Sequence, residues 1–397
     1  MRIFTCTPVP FGGGPDFFAR DSGLLCRGFR AIGVESLAVM PGERRAEDEE
    51  DLIRTDFSNL ESAKWWREHG LDAVVLYAWG SPRFRRVARA IHDAGIILIL
   101  NQDNGGLVSP LAGFSGWLRE QWNLSGGGTD FITRSAKGFC HGLLVTDPLR
   151  AAHLRCGDII ACVSPQAALH YRGLCRTYGG RDFAERVRVL PHAVETRFMF
   201  SGATKKRQVA CVGRWSDRVQ KRPHLLTEVI GELVAVDESL TVVIAGNPID
   251  HLLQWHGSMR PQQRERVQLR GMVGRDDLVN ILNTSQVFYS PSAFESFGIA
   301  AAEALCCGCS VVAAESVSMA AFEWFVSEDS GKLTGIDDAR GHADALATEL
   351  GEWRNGRRDA VGISEIWCAR LHADRVAARV VAMLSEDCAD LPCPGVD

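Results

Sequence analysis

The sequence predicts an α/β protein with two successive domains, each built around a parallel sheet. The chain has 397 residues, which suits two or three domains of roughly 150 residues each. Apolar residues make up 46% and charged residues 23%, close to the averages of globular proteins. Short β-branched runs alternate with longer runs of helical periodicity, and this alternation is typical of parallel βαβ units.

The first domain is predicted over residues 1–190. The chain opens directly into a buried strand at 2–7, without the long apolar run of a signal peptide. Residues 105–138 are glycine-rich and irregular, so we expect a loop or small insertion near a site. Periodicity predicts the remaining elements in this order: helix 16–32, strand 35–40, strand 72–77, helix 83–94, strand 96–100, strand 159–163 and strand 188–190.

The second domain is predicted over residues 191–364, after a hinge at Pro191 and a polar, basic linker at 201–207. Its predicted strands are 209–213, 240–245, 267–269, 287–289 and 310–313, and its predicted helices are 223–236, 277–283 and 299–306. An amphipathic helix at 365–384 closes the chain, and we expect it to return to the first domain, giving 1–190 with 365–384 as one unit.

Composition excludes several classes of protein. A net charge of −5 argues against a nucleic-acid partner. The longest apolar runs fall far short of the ~20 residues of a membrane span. Thirteen cysteines are scattered along the chain, and Cys306 to Cys309 contains a single C-x-x-C with no second pair, so we predict no metal site. Free, mostly buried thiols indicate a reducing compartment, and therefore the cytoplasm.

Arginines are concentrated in one predicted helix of the first domain. Arg83, Arg85, Arg86 and Arg89 lie close together there. They fit a solvated helix face, and they also fit peripheral contact with the anionic inner face of a membrane. Both interpretations stay open.

The most informative stretch runs from 291 to 305. Glu295 lies in the turn after a strand, Gly298 allows close backbone approach, and a helix begins there with free amides suited to an anion. Glu303 follows on the early turns of that helix. Each carboxylate can accept hydrogen bonds from hydroxyls, and an anion site lies between them. A nucleotide sugar presents its groups in the same order: sugar hydroxyl, phosphate, ribose hydroxyl. The alternative is that Glu295 caps the helix and Glu303 lies on the surface.

This stretch resembles the E-x7-E signature of the retaining GT-B glycosyltransferases of family GT4, the glycosyl transferases group 1. A second motif agrees, because Gly213 and Arg214 end a strand and Lys221 follows, resembling the family's V-G-R…K-G segment. Residues 269–273 stand where the family has its base-reading loop.

The resemblance implies a GT-B fold, with two Rossmann-like domains facing across a cleft. The first domain would bind the acceptor, and the second the nucleotide-sugar donor, with UDP or GDP as its nucleotide. No metal or other cofactor is implied, since no Asp-x-Asp occurs. The implied catalytic residues are Arg214, Lys221 and Glu295. The implied donor-binding residues are Gly213, Met272, Val273, Phe297, Gly298, Ile299 and Glu303.

The first domain matches the family more loosely. Gly13 and Gly14 belong to a loop that resembles the family's glycine-rich loop after the first strand, which faces the cleft. The resemblance implies that its amides reach a diphosphate or an acceptor, and the alternative is a plain tight turn. Gln102 and Asp103 stand where the family often has His-Asp, so a side-chain base is not assured. His141 is a candidate substitute, although a lone histidine is more often structural. At the hinge, residues 191–195 replace the usual P-N-G-V-D.

The function that we expect is metal-independent transfer of a sugar to an acceptor hydroxyl, with retention at the anomeric carbon. The acceptor would be a glycan, a lipid-linked molecule or a protein, in bacterial-type glycan or glycoconjugate assembly. Two alternatives stay open. One is a nucleotide-sugar epimerase on the same fold, and the other is a non-catalytic nucleotide-sugar-binding protein.

Overall fold

The computed structural model describes residues 1–125 and 127–385. The chain forms two compact units. Unit 1 comprises Met1–Glu195 together with the described residues from Leu371 onward, and unit 2 is the continuous segment Thr196–Arg370. Each unit contains one parallel sheet, as the βα alternation predicts.

The sheet of unit 1 has seven parallel strands in the order β3-β2-β1-β4-β5-β6-β7. Strands β1 to β3 are added toward one edge of the sheet, and β4 to β7 toward the other. The order therefore reverses between β1 and β4, which pair directly. The strands are β1 Ile3–Cys6, β2 Ala38–Pro41, β3 Leu52–Thr55, β4 Ala73–Tyr77, β5 Ile97–Gln102, β6 Ile159–Cys162 and β7 Val187–Val189.

Helices lie between most of these strands and after the last one. They are α1 Pro15–Phe18, α2 Asp21–Ala31, α3 Phe57–Leu60, α4 Ala63–Glu68, α5 Arg85–Asp93, α6 Phe114–Ser125, α7 Gly128–His141, α8 Asp147–Leu154, α9 Pro165–Ala184 and α19 Ala373–Leu384. Short 3-10 turns lie at Pro82–Phe84 and Pro110–Ala112, and a π-helical turn lies at Gly142–Thr146.

Three predictions for unit 1 were wrong in detail. The helix predicted at 16–32 is two helices, because Arg20 is extended and Asp21, the first residue of α2, has a φ of 50°. The strand β3 was not predicted. The segment 105–138, expected as a loop or small insertion, is largely the helices α6 and α7, which contain Gly116, Gly128 and Gly138.

The last described helix of the chain belongs to unit 1. The single helix predicted at 365–384 is α18 Ala360–Leu371 followed by α19, because His372 between them is extended. Val376 and Val380 of α19 pack with Leu25 of α2 in one buried cluster. Gly28 lets the two helices approach, since a side chain there would clash with the α19 backbone. The expected return of the last helix is confirmed.

The sheet of unit 2 has six parallel strands in the order β10-β9-β8-β11-β12-β13, and it reverses between β8 and β11. The strands are β8 Lys206–Val212, β9 Thr241–Ala245, β10 Val267–Gly271, β11 Ser285–Tyr289, β12 Ser310–Ala314 and β13 Gly331–Thr334. The helices before α18 are α10 Arg218–Lys221, α11 Pro223–Val236, α12 Asp250–Ser258, α13 Pro261–Arg266, α14 Arg275–Thr284, α15 Ile299–Cys306, α16 Phe322–Phe325 and α17 Ala339–Arg354.

The clustered thiols at 306–309 lie at the end of α15. Cys306, Cys307 and Cys309 are fully buried, and burial raises the pKa of each thiol. These thiols therefore fill space at the end of α15. Among residues 1–125 and 127–385, no helix has both the length and the apolar run that crossing a bilayer requires.

Candidate functional site

The point where a parallel sheet reverses direction creates a crevice at the carboxyl ends of its strands, and ligands bind there in open α/β folds. In unit 2 this point lies beyond β8 and β11. Residues 213–222 follow β8, and residues 290–298 follow β11. Both predicted motifs of the second domain therefore meet at one edge of one sheet.

Lys221 and Glu295 form an ion pair at this edge. The Lys221 Nζ contacts the Glu295 Oε1, and the two side chains are 17% and 11% exposed. Ser292 Oγ donates to the same carboxylate oxygen at 2.9 Å, and Gln220 Nε2 donates to the other at 3.2 Å. The sequence predicted both residues for the site but did not predict that they pair.

A short helix holds the lysine in place. Asp217 caps α10 by accepting from the Gln220 backbone amide at 3.0 Å. The Gln220 carbonyl accepts from the Ala293 amide at 2.9 Å, which ties α10 to the loop after β11. Gln220 and Asp217 thus position Lys221, and the motif comparison identified neither of them.

Arg222 links the same two segments, and sequence reasoning also missed it. It has a φ of 41° between α10 and α11. Its guanidinium donates to the carbonyls of Pro291 and Ser292 at 2.5 and 3.2 Å, and it lies 2.8 Å from Asp337 Oδ1. Burial alone would raise the pKa of Asp337, but hydrogen bonds from His342 and Arg222 outweigh it and hold this pKa well below its usual range.

The start of α15 presents backbone amides beside Glu295. Gly298 caps the helix with a φ of 83°, and a Cβ there would lie 2.7 Å from the Phe322 ring. The Ala301 and Ala302 amides donate to the Gly298 carbonyl. The Ile299 amide lies at the N-terminal end of α15, where backbone amides have no acceptor within the helix. Phe297 is buried, with its ring packed edge-on against Phe325.

Glu303 lies on α15 and is only 4% exposed. Its Oε1 accepts from Arg275 Nη1 at 2.6 Å. Arg275 begins α14 and also lies over the Phe198 ring, 5.5 Å from the ring centre. The alternative that Glu303 lies on the surface was therefore wrong. Arg275 was not among the predicted residues, and no motif pointed to it.

The remaining donor-side candidates follow neighbouring strands. The Gly213 amide donates to the Ala245 carbonyl at 3.2 Å, directly after β8. Arg214 is exposed, and its side chain makes no ion pair with any described residue. Met272 is 73% exposed just after β10, and Val273 beside it is half-buried. Arg214 thus offers a cation that other described residues do not neutralise.

Unit 1 has its own crevice, beyond β1 and β4. A cavity of about 380 Å³ lies there, which we call the unit 1 cavity. Its lining includes Gly14, Asp21, Tyr77 and Trp79. Gly13 is buried beside it, and a side chain at that position would clash with Asp48.

A buried histidine stands behind this cavity. His192 Nε2 lies 2.7 Å from Asp103 Oδ1, and its Nδ1 lies 3.7 Å from Asp21 Oδ1. Burial would lower the pKa of His192, but the carboxylates of Asp103 and Asp21 outweigh it and raise this pKa to about 9. His192 was not a predicted site residue, although its place in the altered hinge motif was a signal.

The other first-domain candidates differ in their surroundings. Gln102 is buried, with its amide nitrogen donating to the Leu100 carbonyl at 3.2 Å. His141 is exposed at the end of α7, and its Nδ1 lies 3.2 Å from the Thr146 hydroxyl. No contact joins it to Asp103 in the described part of the chain.

Within unit 1, one group of described residues could hold a metal by distance alone. Asp21, Asp103 and His192 place potential ligand atoms within 4.8 Å of one another. The hydrogen bond between His192 and Asp103 already accounts for this clustering. A protonated imidazole is also not a metal ligand, because metal binding requires the neutral ring.

Comparison with known proteins agrees with this arrangement. Residues 206–351 match the family model described as glycosyl transferases group 1. A D-inositol 3-phosphate glycosyltransferase of Saccharomonospora viridis is 33% identical over 156 residues, which are 35% of this chain and 34% of that protein. The match thus spans about a third of this relative's length.

Solved structures extend the likeness of fold to both units. HepE of Anabaena in complex with UDP has a TM-score of 0.64 at 16% identity, covering 97% of this chain and 99% of that one. Sucrose-phosphate synthase of Thermosynechococcus elongatus has a TM-score of 0.60 at 14% identity, covering 96% and 98%. The resemblance seen in the sequence is confirmed: the chain has the GT-B fold, and residues 206–351 of its second unit match the model of the glycosyl transferases group 1 family.

Proposed function

We propose that this protein transfers a sugar from a nucleoside diphosphate sugar to an acceptor hydroxyl, with retention and without a metal. The observation that carries the proposal is the Lys221–Glu295 pair beside the start of α15, at the point where the unit 2 sheet reverses. Cation, carboxylate and helix amides are the groups that a diphosphate joined to a sugar requires.

In this proposal Lys221 and Arg214 bind the diphosphate. Lys221 carries three N–H donors, so it can keep one on Glu295 while another reaches a phosphate oxygen. Arg214 is exposed and adds a planar guanidinium, whose N–H donors can bind two phosphate oxygens at once. The amides around Phe297, Gly298 and Ile299 face the same anion. Together these groups replace the charge that a metal would supply.

Glu295 accepts hydrogen bonds from hydroxyls of the donor sugar. Ser292 and Gln220 fix its carboxylate, so it is oriented before the donor arrives. Glu303 binds the ribose hydroxyls, and Arg275 orients it in the same way. Gly213, Met272 and Val273 lie beyond β8 and β10, where main-chain groups would meet the base. UDP is our first choice of nucleotide, because HepE was solved with it, and GDP is the second.

The chemical step that we propose needs no dedicated side-chain base. The acceptor oxygen bonds to the anomeric carbon on the face that the diphosphate leaves. The bond between that carbon and the phosphate oxygen breaks with its electron pair, and the phosphate oxygen takes the acceptor proton. Negative charge therefore grows on the diphosphate, where Lys221 and Arg214 stabilise it.

Unit 1 binds the acceptor in this proposal, within glycan or glycoconjugate assembly in the cytoplasm. Contact with a membrane surface is supported by the helices α6 and α7. No residue of α7 is buried. Four large apolar side chains there and one in the following turn are more than 40% exposed, namely Phe114, Trp122, Ile132, Phe139 and Leu144. Sedimentation with anionic phospholipid vesicles tests this contact, and Ile132→Ser should weaken it.

The test of the proposed function is a panel of UDP- and GDP-sugars incubated with the full chain. Release of nucleoside diphosphate above the uncatalysed rate supports transfer or its hydrolytic side reaction. Interconversion of the donor sugar without nucleotide release would favour the epimerase alternative. Tight binding of a donor without either reaction, over the whole panel and with added polyol acceptors, would favour a binding protein.

A further inference from the structure

The unit 1 cavity carries chemistry that the donor site does not use. Its volume of about 380 Å³ lies in the range of small-molecule sites. Phe11 and Trp79 form part of its wall, with their rings edge-on at 6.3 Å. An aromatic wall with a few charged groups is typical of a site for a ligand that has both an apolar face and polar edges.

Two residues of this wall have unusual backbone conformations. The described chain has three non-glycine residues with a positive φ, and two of them, Asp21 and Trp79, line this cavity at 50° each. Aspartate tolerates that conformation, but a bulky aromatic residue does not adopt it without strain. Strain of this kind persists where it places a side chain for function. The backbone therefore holds the Trp79 indole and the Asp21 carboxylate at the cavity.

The Asp21 carboxylate is also held electrostatically. His192, only 2% exposed, lies between Asp21 and Asp103. Tyr77 of β4 packs near the imidazole, with ring centres 6.4 Å apart. The Asp21 carboxylate lies 3.7 Å from the imidazole Nδ1, and its oxygens can accept hydrogen bonds from hydroxyls.

The charge of the cavity limits what it can bind. Three carboxylates, Asp16, Asp21 and Glu47, face one guanidinium, Arg20, in the lining, which gives a net charge of −2. Arg20 already lies 4.0 Å from Asp21. A phosphate would meet like charge here, and like charges in contact are strongly unfavourable.

We propose that the unit 1 cavity binds the acceptor, and that this acceptor is a hydroxylated ring without a phosphate group. One face of the ring packs on Trp79, and ring hydroxyls donate to Asp21. Both are positioning residues. The inference rests on the proposed glycosyl transfer. It also separates this chain from the relative whose name specifies an inositol phosphate.

The test compares matched rings with and without phosphate on the full chain in the presence of UDP. The probes are myo-inositol with D-myo-inositol 3-phosphate, and glucose with glucose 6-phosphate, measured by ligand-observed NMR titration. We expect each free ring to bind at least about tenfold more tightly than its phosphate. Trp79→Ala and Asp21→Asn should each weaken free-ring binding by about tenfold.

Controls separate recognition from folding. Asp21→Asn keeps the backbone, because asparagine also tolerates a positive φ. Trp79→Gly removes the strain together with the ring, so it should fold and still lose ring binding. Leu169→Ala removes an exposed apolar side chain outside the cavity and should leave ring binding unchanged.

Three results would overturn the inference. These are tighter binding of the phosphorylated ring, no binding of either free ring by the wild-type protein, and unchanged ring affinity in Trp79→Gly. UDP affinity, measured in the same samples, belongs to unit 2. Failure to bind UDP or any donor, with the ring preference intact, would instead count against the proposed function.

Discussion

The Lys221–Glu295 pair gives a quantitative test of the donor site. Two unit charges 4 Å apart attract by about 4 kcal/mol at an effective dielectric constant of 20. Removing one partner from a fully buried pair costs ~3–5 kcal/mol. Here the side chains are 17% and 11% exposed, and Ser292 and Gln220 still donate to the carboxylate. We therefore expect Lys221→Met to lower the free energy of unfolding by about 2 kcal/mol.

The same substitution should slow catalysis. Loss of one preorganised donor to a developing oxyanion lowers kcat by ~10²–10³. Affinity for the donor should change less, because the charge grows mainly in the transition state. Lys221→Arg should restore only part of the rate, because the planar guanidinium of arginine does not reproduce the compact charge of the lysine ammonium. Denaturant titration gives the stability, and single-turnover nucleotide release gives the rate.

Arg214→Met is the matched control. Its side chain is exposed and makes no ion pair within the described residues, so the substitution should leave stability unchanged while weakening diphosphate binding. The reasoning is refuted if folded Lys221→Met keeps kcat within about threefold of wild type. It is also refuted if Lys221→Met and Arg214→Met unfold at the same denaturant concentration.

Four further predictions concern both units. Glu303→Gln should weaken UDP binding by about 1.5–3 kcal/mol in calorimetry, whereas Glu295→Gln should leave free UDP binding nearly unchanged. Donor cleavage should persist in excess EDTA, because side-chain cations bind the diphosphate. The His192 pKa is raised from 6.5 to about 9, so its contribution to stability is full below pH 6.5 and is lost as pH rises to 9; His192→Gln should remove that slope. Gly298→Ala should lower stability by about 1–3 kcal/mol, because the φ is 83° and the new Cβ meets the Phe322 ring at 2.7 Å.

Each of these has a contrary outcome. Equal loss of UDP affinity in the two glutamate variants would remove the division of roles between them. Activity abolished by EDTA and restored by Mn²⁺ would require a metal at the diphosphate. An unchanged stability slope between pH 6.5 and 9 in the histidine variant would mean that another group titrates there. Full stability of the Gly298 variant would mean that the Phe322 ring moves freely.

Sequence reasoning succeeded where local signals were strong. The helices predicted at 223–236 and 299–306 match α11 and α15 in both bounds. Pro223 begins the first of these, and Gly298 caps the start of the second, so residue preference and apolar periodicity agree on where each helix begins. In contrast, β3 is four residues long and α17 is rich in alanine and glycine, and neither gave a clear pattern.

The candidate sites depended more on contacts between distant parts of the chain. Lys221 and Glu295 are 74 residues apart, and the motif comparison supplied both but not their ion pair. His192 and Asp103 are 89 residues apart, and no motif joined them. The parallel sheet brings each pair together by aligning carboxyl ends of strands, which periodicity in one segment cannot reveal.

The return of α19 to unit 1 sets an order for folding during synthesis. Unit 2 is one continuous segment, Thr196–Arg370, and all of its strands are present before the ribosome adds residue 371. Unit 1 begins first, but its buried cluster lacks Val376 and Val380 until α19 emerges. Until then Leu25 of α2 lacks its cover, and Val194 lacks its hydrogen bonds to Leu371 and Ala373. The unit translated first is therefore completed last, and truncation before residue 371 should damage the half of the protein farthest from the cut in sequence.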